Sequence, residues 1–192
     1  MVQKIGILYF SPTNTTNKIC LAIASGMGDN NAHHINITLP DIRSEFLNNP
    51  ARFTDNIDHF IVGAPVYTGK LPLQVIECLD NIRGNKKTCT AVVVYGNRDY
   101  GLALRHMVET LANDGFAVTS AGAFIGQHSY SDIIPVAMGR PDNKDLKAAF
   151  NFGERIIDKN KVILVDDIPV QLDMFSKSKN YSPMVPTFKA TN

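Results

Sequence analysis

The chain predicts an alternating α/β fold around a parallel sheet, and three observations carry that expectation. Ile5-Gly6-Ile7-Leu8-Tyr9-Phe10 is a continuous apolar run, echoed by Ile61-Val62 and Ala91-Val92-Val93-Val94, as expected of strands covered on both faces. Stretches with helical spacing lie between them: Ile19, Ile23 and Met27; Leu73, Val75, Ile76 and Leu79; Leu104, Met107, Val108 and Leu111. The connections are short, so strand and helix alternate along the chain.

The remaining elements follow in order. Ala32 to Thr38 is a weaker strand after the first helix, and Ala117 to Ile125 supplies a fifth before a helix from about Asp145 to Ile157. Asp142 reads as the N-cap of that last helix, which makes Arg140-Pro141-Asp142 its entry turn. Residues 1–158 thus form one α/β domain. Beyond Lys159 the pattern decays through Val162-Ile163-Leu164-Val165 into a Ser-, Pro- and Lys-bearing tail, expected to be an arm or a linker over 159–192.

Composition removes several classes of function. With 192 residues, 44% hydrophobic and 19% charged, the chain is long enough to bury a core without metal or disulfides. Nineteen Lys and Arg face eighteen Asp and Glu, a net charge of +1 with no basic stripe, which argues against nucleic acid as a partner. Cys20, Cys78 and Cys89 are far apart and form no CxxC, so they read as buried thiols of a cytoplasmic protein. The apolar run at the start stops after six residues at Ser11-Pro12-Thr13, too short for a signal peptide or a membrane span.

Open α/β sheets bind ligands beyond the carboxyl ends of their strands, so the informative residues follow Phe10, Gly63, Val94 and Ile125. After the first strand comes Ser11-Pro12-Thr13-Asn14-Thr15-Thr16-Asn17, four hydroxyls leading straight into a helix. Hydroxyls and the free amides of a helix N-terminus cradle phosphate oxygens without any cation. The loop is neither GxxxxGK[ST] nor GxGxxG, which disfavours nucleoside triphosphate chemistry. Asn14 stands where a tight phosphate loop wants glycine, and Asn is among the few residues that tolerate positive φ. The plainer alternative is an ordinary N-cap of Ser or Thr, and the loop alone leaves the two readings level.

Ser11-Pro12-Thr13-Asn14-Thr15-Thr16 resembles the flavodoxin phosphate motif. Gly63-Ala64-Pro65-Val66-Tyr67-Thr68-Gly69-Lys70-Leu71-Pro72, Val94-Tyr95-Gly96-Asn97-Arg98-Asp99-Tyr100-Gly101 and Gly139-Arg140-Pro141-Asp142 resemble segments of the flavodoxin-like domain of flavodoxin–ferredoxin fusion proteins. The resemblance spans about residues 3 to 158. It implies a doubly wound five-stranded sheet in the order 2-1-3-4-5, helices on both faces, and FMN as cofactor. Its phosphate would rest on Ser11, Thr13, Asn14, Thr15 and Thr16. Its ring would lie between one loop holding Pro65, Val66, Tyr67, Thr68 and Gly69 and another holding Tyr95, Gly96, Asn97, Arg98, Tyr100 and Gly101.

Physical chemistry points to the same loops. A flavin needs flat apolar or aromatic walls with backbone donors and acceptors along its edge, and with no Trp in the chain the stacking residue is Tyr or Phe. Gly69 and Gly96 allow a peptide to flip or to approach a ligand closely. In flavodoxins a flipped carbonyl in the first of these loops accepts a hydrogen bond from the reduced ring. Singly, Tyr67 and Tyr100 read as structural tyrosines; at the ends of adjacent strands the flavin reading is the stronger. After the fifth strand, Gln127, His128 and Tyr130 open a long connection and are candidates to lie over the ring, with His128 able to relay a proton. His33, His34, His59 and His106 sit away from that edge and take no chemistry.

Three functions stay open on these residues. The first is an electron-transfer flavoprotein serving an iron–sulfur or other redox partner, which needs no catalytic residue. The second is an NAD(P)H-dependent quinone or flavin oxidoreductase on the same fold. The third is a flavin-free binding module, for which Asn14 is the best argument. A net charge of +1 is unlike the strongly acidic classical flavodoxins, so a ferredoxin domain fused to such a chain is another electron source, although this sequence has no ferredoxin cysteine motif.

Overall fold

The computed structural model describes residues 4–128 and 135–170. Five strands form one parallel sheet: β1 Ile5–Tyr9, β2 His33–Asn36, β3 His59–Pro65, β4 Thr88–Tyr95 and β5 Ala117–Ile125. Their order is β2-β1-β3-β4-β5. The helices are α1 Thr15–Gly26, α2 Pro40–Asn48, α3 Pro50–Thr54, α4 Leu73–Asn81, α5 Ala103–Asn113 and α6 Asn143–Ile156. The expected strand order is therefore present. Strands β1, β3 and β4 are buried almost throughout, which is why their sequences are continuous apolar runs and not alternating ones.

The connection from β2 to β3 holds two helices that hydrophobic spacing did not reveal. Both begin with proline at the first helical position, and α2 buries only Phe46. A helix that contributes one anchor to the core leaves no periodic stripe in the sequence.

One face of the sheet carries α1 and α6, packed over Ile7, Ile61, Val92 and Val94. The opposite core gathers Phe46, Phe60, Val62, Val93, Met107 and Leu111 from α2, α5 and the sheet. Two glycines let α1 and α6 meet backbone to backbone: a Cβ on Gly26 would stand 2.0 Å from Phe150 O, and one on Gly153 would stand 2.2 Å from Ile23 O. Gly63 does the same for α1 on the sheet, where a Cβ would stand 2.3 Å from Cys20 Sγ.

Residues 161–170 lie back against the domain. Ile163 N–H donates to Val118 O at 2.9 Å, Arg105 pairs with Asp166, and Ile168 is buried in the core. All three cysteines are buried thiols, and burial pushes Cys20 up to about 12 and Cys78 to about 11, far from a reactive thiolate. No helix among the described residues is long and apolar enough to cross a membrane.

Candidate functional site

Four loops meet beyond the carboxyl ends of β1, β3, β4 and β5, beside the point where the strand order reverses between β1 and β3. The first is the hydroxyl-rich loop. Asn14 is the N-cap of α1 and adopts the left-handed conformation, φ 62° and ψ 4°, so the chain does need at this position what glycine would supply. Its N–H donates to Ser11 O at 3.1 Å, and its carbonyl accepts from Lys18 N–H at 3.2 Å.

Capping comes from a different residue than the cap position suggests. Ser11 Oγ accepts from Asn17 N–H at 3.1 Å, while the Asn14 side chain makes no cap bond and accepts instead from Asn17 Nδ2 at 2.8 Å. Among the described residues, the amides of Thr13, Thr15 and Thr16 have no hydrogen-bond acceptor. Thr13 Oγ1 and Thr15 Oγ1 lie 3.1 Å apart. Thr16 is fully buried and its Oγ1 has no partner. A buried hydroxyl without a partner is costly, and here it belongs to a loop with free amides at the positive end of a helix dipole. That donor set fits a phosphate and no cation is needed. Thr38 Oγ1, accepting from Ser11 N–H at 2.7 Å, anchors the loop to the end of β2; sequence reasoning missed it, because nothing in the spacing marks it.

The second loop turns tightly. Tyr67 N–H donates to Lys70 O at 2.9 Å and Lys70 N–H to Tyr67 O at 3.0 Å, with Thr68 at φ 50° and Gly69 at φ 76° between them. Two positive φ values in a two-residue loop are the pattern of a type I′ turn. A β-branched residue at positive φ is strained, and Thr68 offsets part of this by donating its hydroxyl to Tyr67 O at 2.7 Å. Pro65, Val66 and Tyr67 are half-buried along this edge. Burial holds the Tyr67 phenol above its ordinary value, so it stays a donor at neutral pH.

Glycine works here by close approach between loops. A Cβ on Gly101 (φ 53°) would stand 2.6 Å from Gly69 O, and that carbonyl already accepts from Leu102 N–H at 3.0 Å. The peptide following Gly69 is thereby pinned. A Cβ on Gly96 would stand 2.8 Å from His128 Cα, so the half-buried His128 sits in the notch that Gly96 leaves.

Tyr100 is 8% exposed and belongs to the core, its ring 5.4 Å from that of Tyr95 at 73°. It supports Tyr95 from below, and the half-buried Tyr95 is the aromatic nearer the surface. The Tyr95 phenol is held up by burial first, then by Tyr100 and Asp99. Asn97 (φ 56°) and Arg98 are exposed at the tip, and Asp99 Oδ1 accepts from Gly101 N–H.

The fourth loop joins the first. Gly126 N–H donates to Tyr95 O at 2.8 Å, and a Cβ on Gly126 would stand 3.4 Å from Thr15 Oγ1. Gln127 braces the connection with its backbone and its side chain together. Its N–H donates to Arg140 O at 2.9 Å and its Oε1 accepts from Gly139 N–H at 3.1 Å. Tyr130 lies outside the described residues. Asp142 and Asp145 form the capping box of α6, and the Arg140 guanidinium on Asp145 holds that carboxyl below its usual range.

The sheet order, the crossovers and the four loops at one edge define a flavodoxin-like fold. An archaeal flavodoxin superposes with a TM-score of 0.52 at 18% identity, over 81% of this chain and 96% of that one. An apo NADH:FMN oxidoreductase superposes at 0.56 and 15%, over 81% and 89%. The rubredoxin oxygen:oxidoreductase of the anaerobe Desulfovibrio gigas superposes at 0.58 and 17%, over 80% of this chain and 35% of that one, so the chain spans about a third of it. At these identities the likeness is one of fold. No protein-family model matches the sequence, and no curated protein matches it.

Proposed function

We propose that this chain is an FMN-binding electron-transfer protein, passing electrons between a redox partner protein and the flavin. The observation that carries the reading is Thr16 Oγ1, buried without a partner in a loop whose amides at Thr13, Thr15 and Thr16 are also unspent. FMN, when bound, supplies one- and two-electron chemistry that protein side chains lack. The chain's own residues bind and orient. Ser11, Thr13, Asn14, Thr15 and Thr16 hold the phosphate; Pro65, Val66, Tyr67, Thr68 and Gly69 wall one side of the ring; Tyr95, Gly96, Asn97, Arg98 and Gly101, with His128, close the other, and the buried Tyr100 packs against Tyr95.

No general acid is required for this role, and the protonated phenols of Tyr67 and Tyr95 serve as fixed donors. The likeness of residues 63–72, 94–101 and 139–142 to the flavodoxin domain of flavodoxin–ferredoxin fusions favours an iron–sulfur donor. The test is the visible spectrum of the purified protein with FMN added, followed by anaerobic reductants. Bleaching by a reduced iron–sulfur protein and not by NADH or NADPH is the expected result. Direct bleaching by a pyridine nucleotide would instead make the chain a reductase, and no flavin uptake would remove the reading altogether.

A further inference from the structure

We propose that Asn17 is a positioning residue of the phosphate cradle, its side-chain amide holding Asn14 in the left-handed conformation so that the loop keeps a glycine-type shape without glycine; this rests on the FMN reading above.

Asn14 is the only residue of the hydroxyl-rich loop with positive φ, and it stands where the chain reverses into α1. Left-handed backbone is cheap for glycine and disfavoured for every residue with a Cβ, Asn being among the least penalised because its side chain finds a local partner. The partner here is Asn17, whose Nδ2 donates to Asn14 Oδ1 at 2.8 Å. The same residue ties the other end of the loop, its N–H donating to Ser11 Oγ at 3.1 Å. Ser11 O in turn accepts from Asn14 N–H at 3.1 Å, which closes a ring of three residues around the turn.

Nothing in that ring spends the groups a phosphate would use. The amides of Thr13, Thr15 and Thr16 and the buried Thr16 hydroxyl stay available, while Ser11 Oγ, as an acceptor from Asn17, still has its own proton to donate. The cradle is therefore held open by Asn17 before any ligand arrives, and preorganisation of this kind raises affinity by lowering the ordering cost of binding.

The experiment compares FMN and riboflavin affinities by fluorescence quenching in the wild type, Asn17→Ala, Asn14→Gly and the double variant, with melting temperatures measured alongside. Loss of one such hydrogen bond predicts FMN binding roughly five- to tenfold weaker in Asn17→Ala, with riboflavin affinity unchanged. Asn14→Gly in that background should restore FMN affinity to within about threefold of wild type, since glycine takes the left-handed conformation without help. Should Asn17→Ala fold poorly, Asn17→Ser keeps a polar group at the half-buried site but is too short to reach Asn14, and gives the same pattern. FMN binding undiminished by loss of Asn17, equal losses for FMN and riboflavin, or no rescue by Asn14→Gly would each overturn the proposal while leaving the flavin reading intact. A wild type that binds no FMN would overturn both.

Discussion

Thr16→Val keeps the methyl that packs near Gly63 and removes only the unpartnered hydroxyl. In the absence of flavin this should raise stability, by up to about 2 kcal/mol, because a buried hydroxyl without a hydrogen bond costs roughly 1–3 kcal/mol. FMN affinity should fall by about ten- to a hundredfold, the weight of a hydrogen bond to a charged group. Urea unfolding and an FMN titration on the same samples check both signs; a hydroxyl idle in the bound state would leave affinity unchanged. Tyr100 makes the opposite case. As a core residue at 8% exposure it should cost about 3–5 kcal/mol when cut to Ala, as for other buried aromatics, with the loss read in melting before it is read in flavin affinity. The sequence singled out Tyr67, Tyr95 and Tyr100 alike, since a tyrosine after a strand looks the same whether its ring faces the mouth or the core. Asn14 was legible, because a polar loop that needs positive φ without glycine has few other choices.

At the scale of elements, the contact of α1 with the sheet and with α6 rests on Gly63, Gly26 and Gly153, and the three differ in what a methyl would strike. At Gly63 the obstacle is a side-chain atom, Cys20 Sγ; at Gly153 it is a backbone carbonyl, Ile23 O. Gly63→Ala should therefore cost about 1–3 kcal/mol, most of it relieved by Cys20→Ala in the same chain, whereas no single side-chain deletion relieves Gly153→Ala. Chemical denaturation of the two singles and the Gly63→Ala/Cys20→Ala pair measures the coupling; additive costs would refute it. β1, β3 and β4 announce themselves by burial on both faces, and α1, α4, α5 and α6 by an apolar stripe. The helices between β2 and β3 do not, since α2 buries only Phe46 and α3 only Thr54, which leaves no period to read. Close approach of two loops is likewise invisible in sequence: Gly96 and His128 are more than thirty positions apart, and only the folded chain shows that one makes room for the other.

For the molecule as a whole, the two ends of the sheet have separate roles. The carboxyl end holds the four loops; the opposite end is fastened by polar groups within the core. His59, at the start of β3, is 3% exposed and bridges β4 through Thr88 Oγ1 and Thr90 Oγ1, each at 2.9 Å. Burial lowers its pKa from 6.5 to about 4. The unfolded chain then binds a proton between those values that the folded chain refuses, so stability is full above about pH 6.5 and is lost on acidification toward pH 4, by at most about 1.4 kcal/mol per pH unit. Asp145, its pKa lowered by Arg140, loses stability in the same direction. Denaturant midpoints across pH 4–7 for the wild type and His59→Gln should differ in slope; parallel curves would mean that His59 titrates in the fold as it does in the unfolded chain. His59 does not touch the ligand edge, so flavin affinity per folded molecule should be unaffected by His59→Gln.

That separation leaves the phosphate loop as the central claim, and calorimetric titration of the wild type with FMN and then with riboflavin tests it most directly. Three unspent amides and a buried hydroxyl in one loop predict FMN binding at least about a hundredfold tighter than riboflavin, since each hydrogen bond to a charged group contributes roughly 1.5–3 kcal/mol. Equal affinities, or no binding of either, would contradict the account.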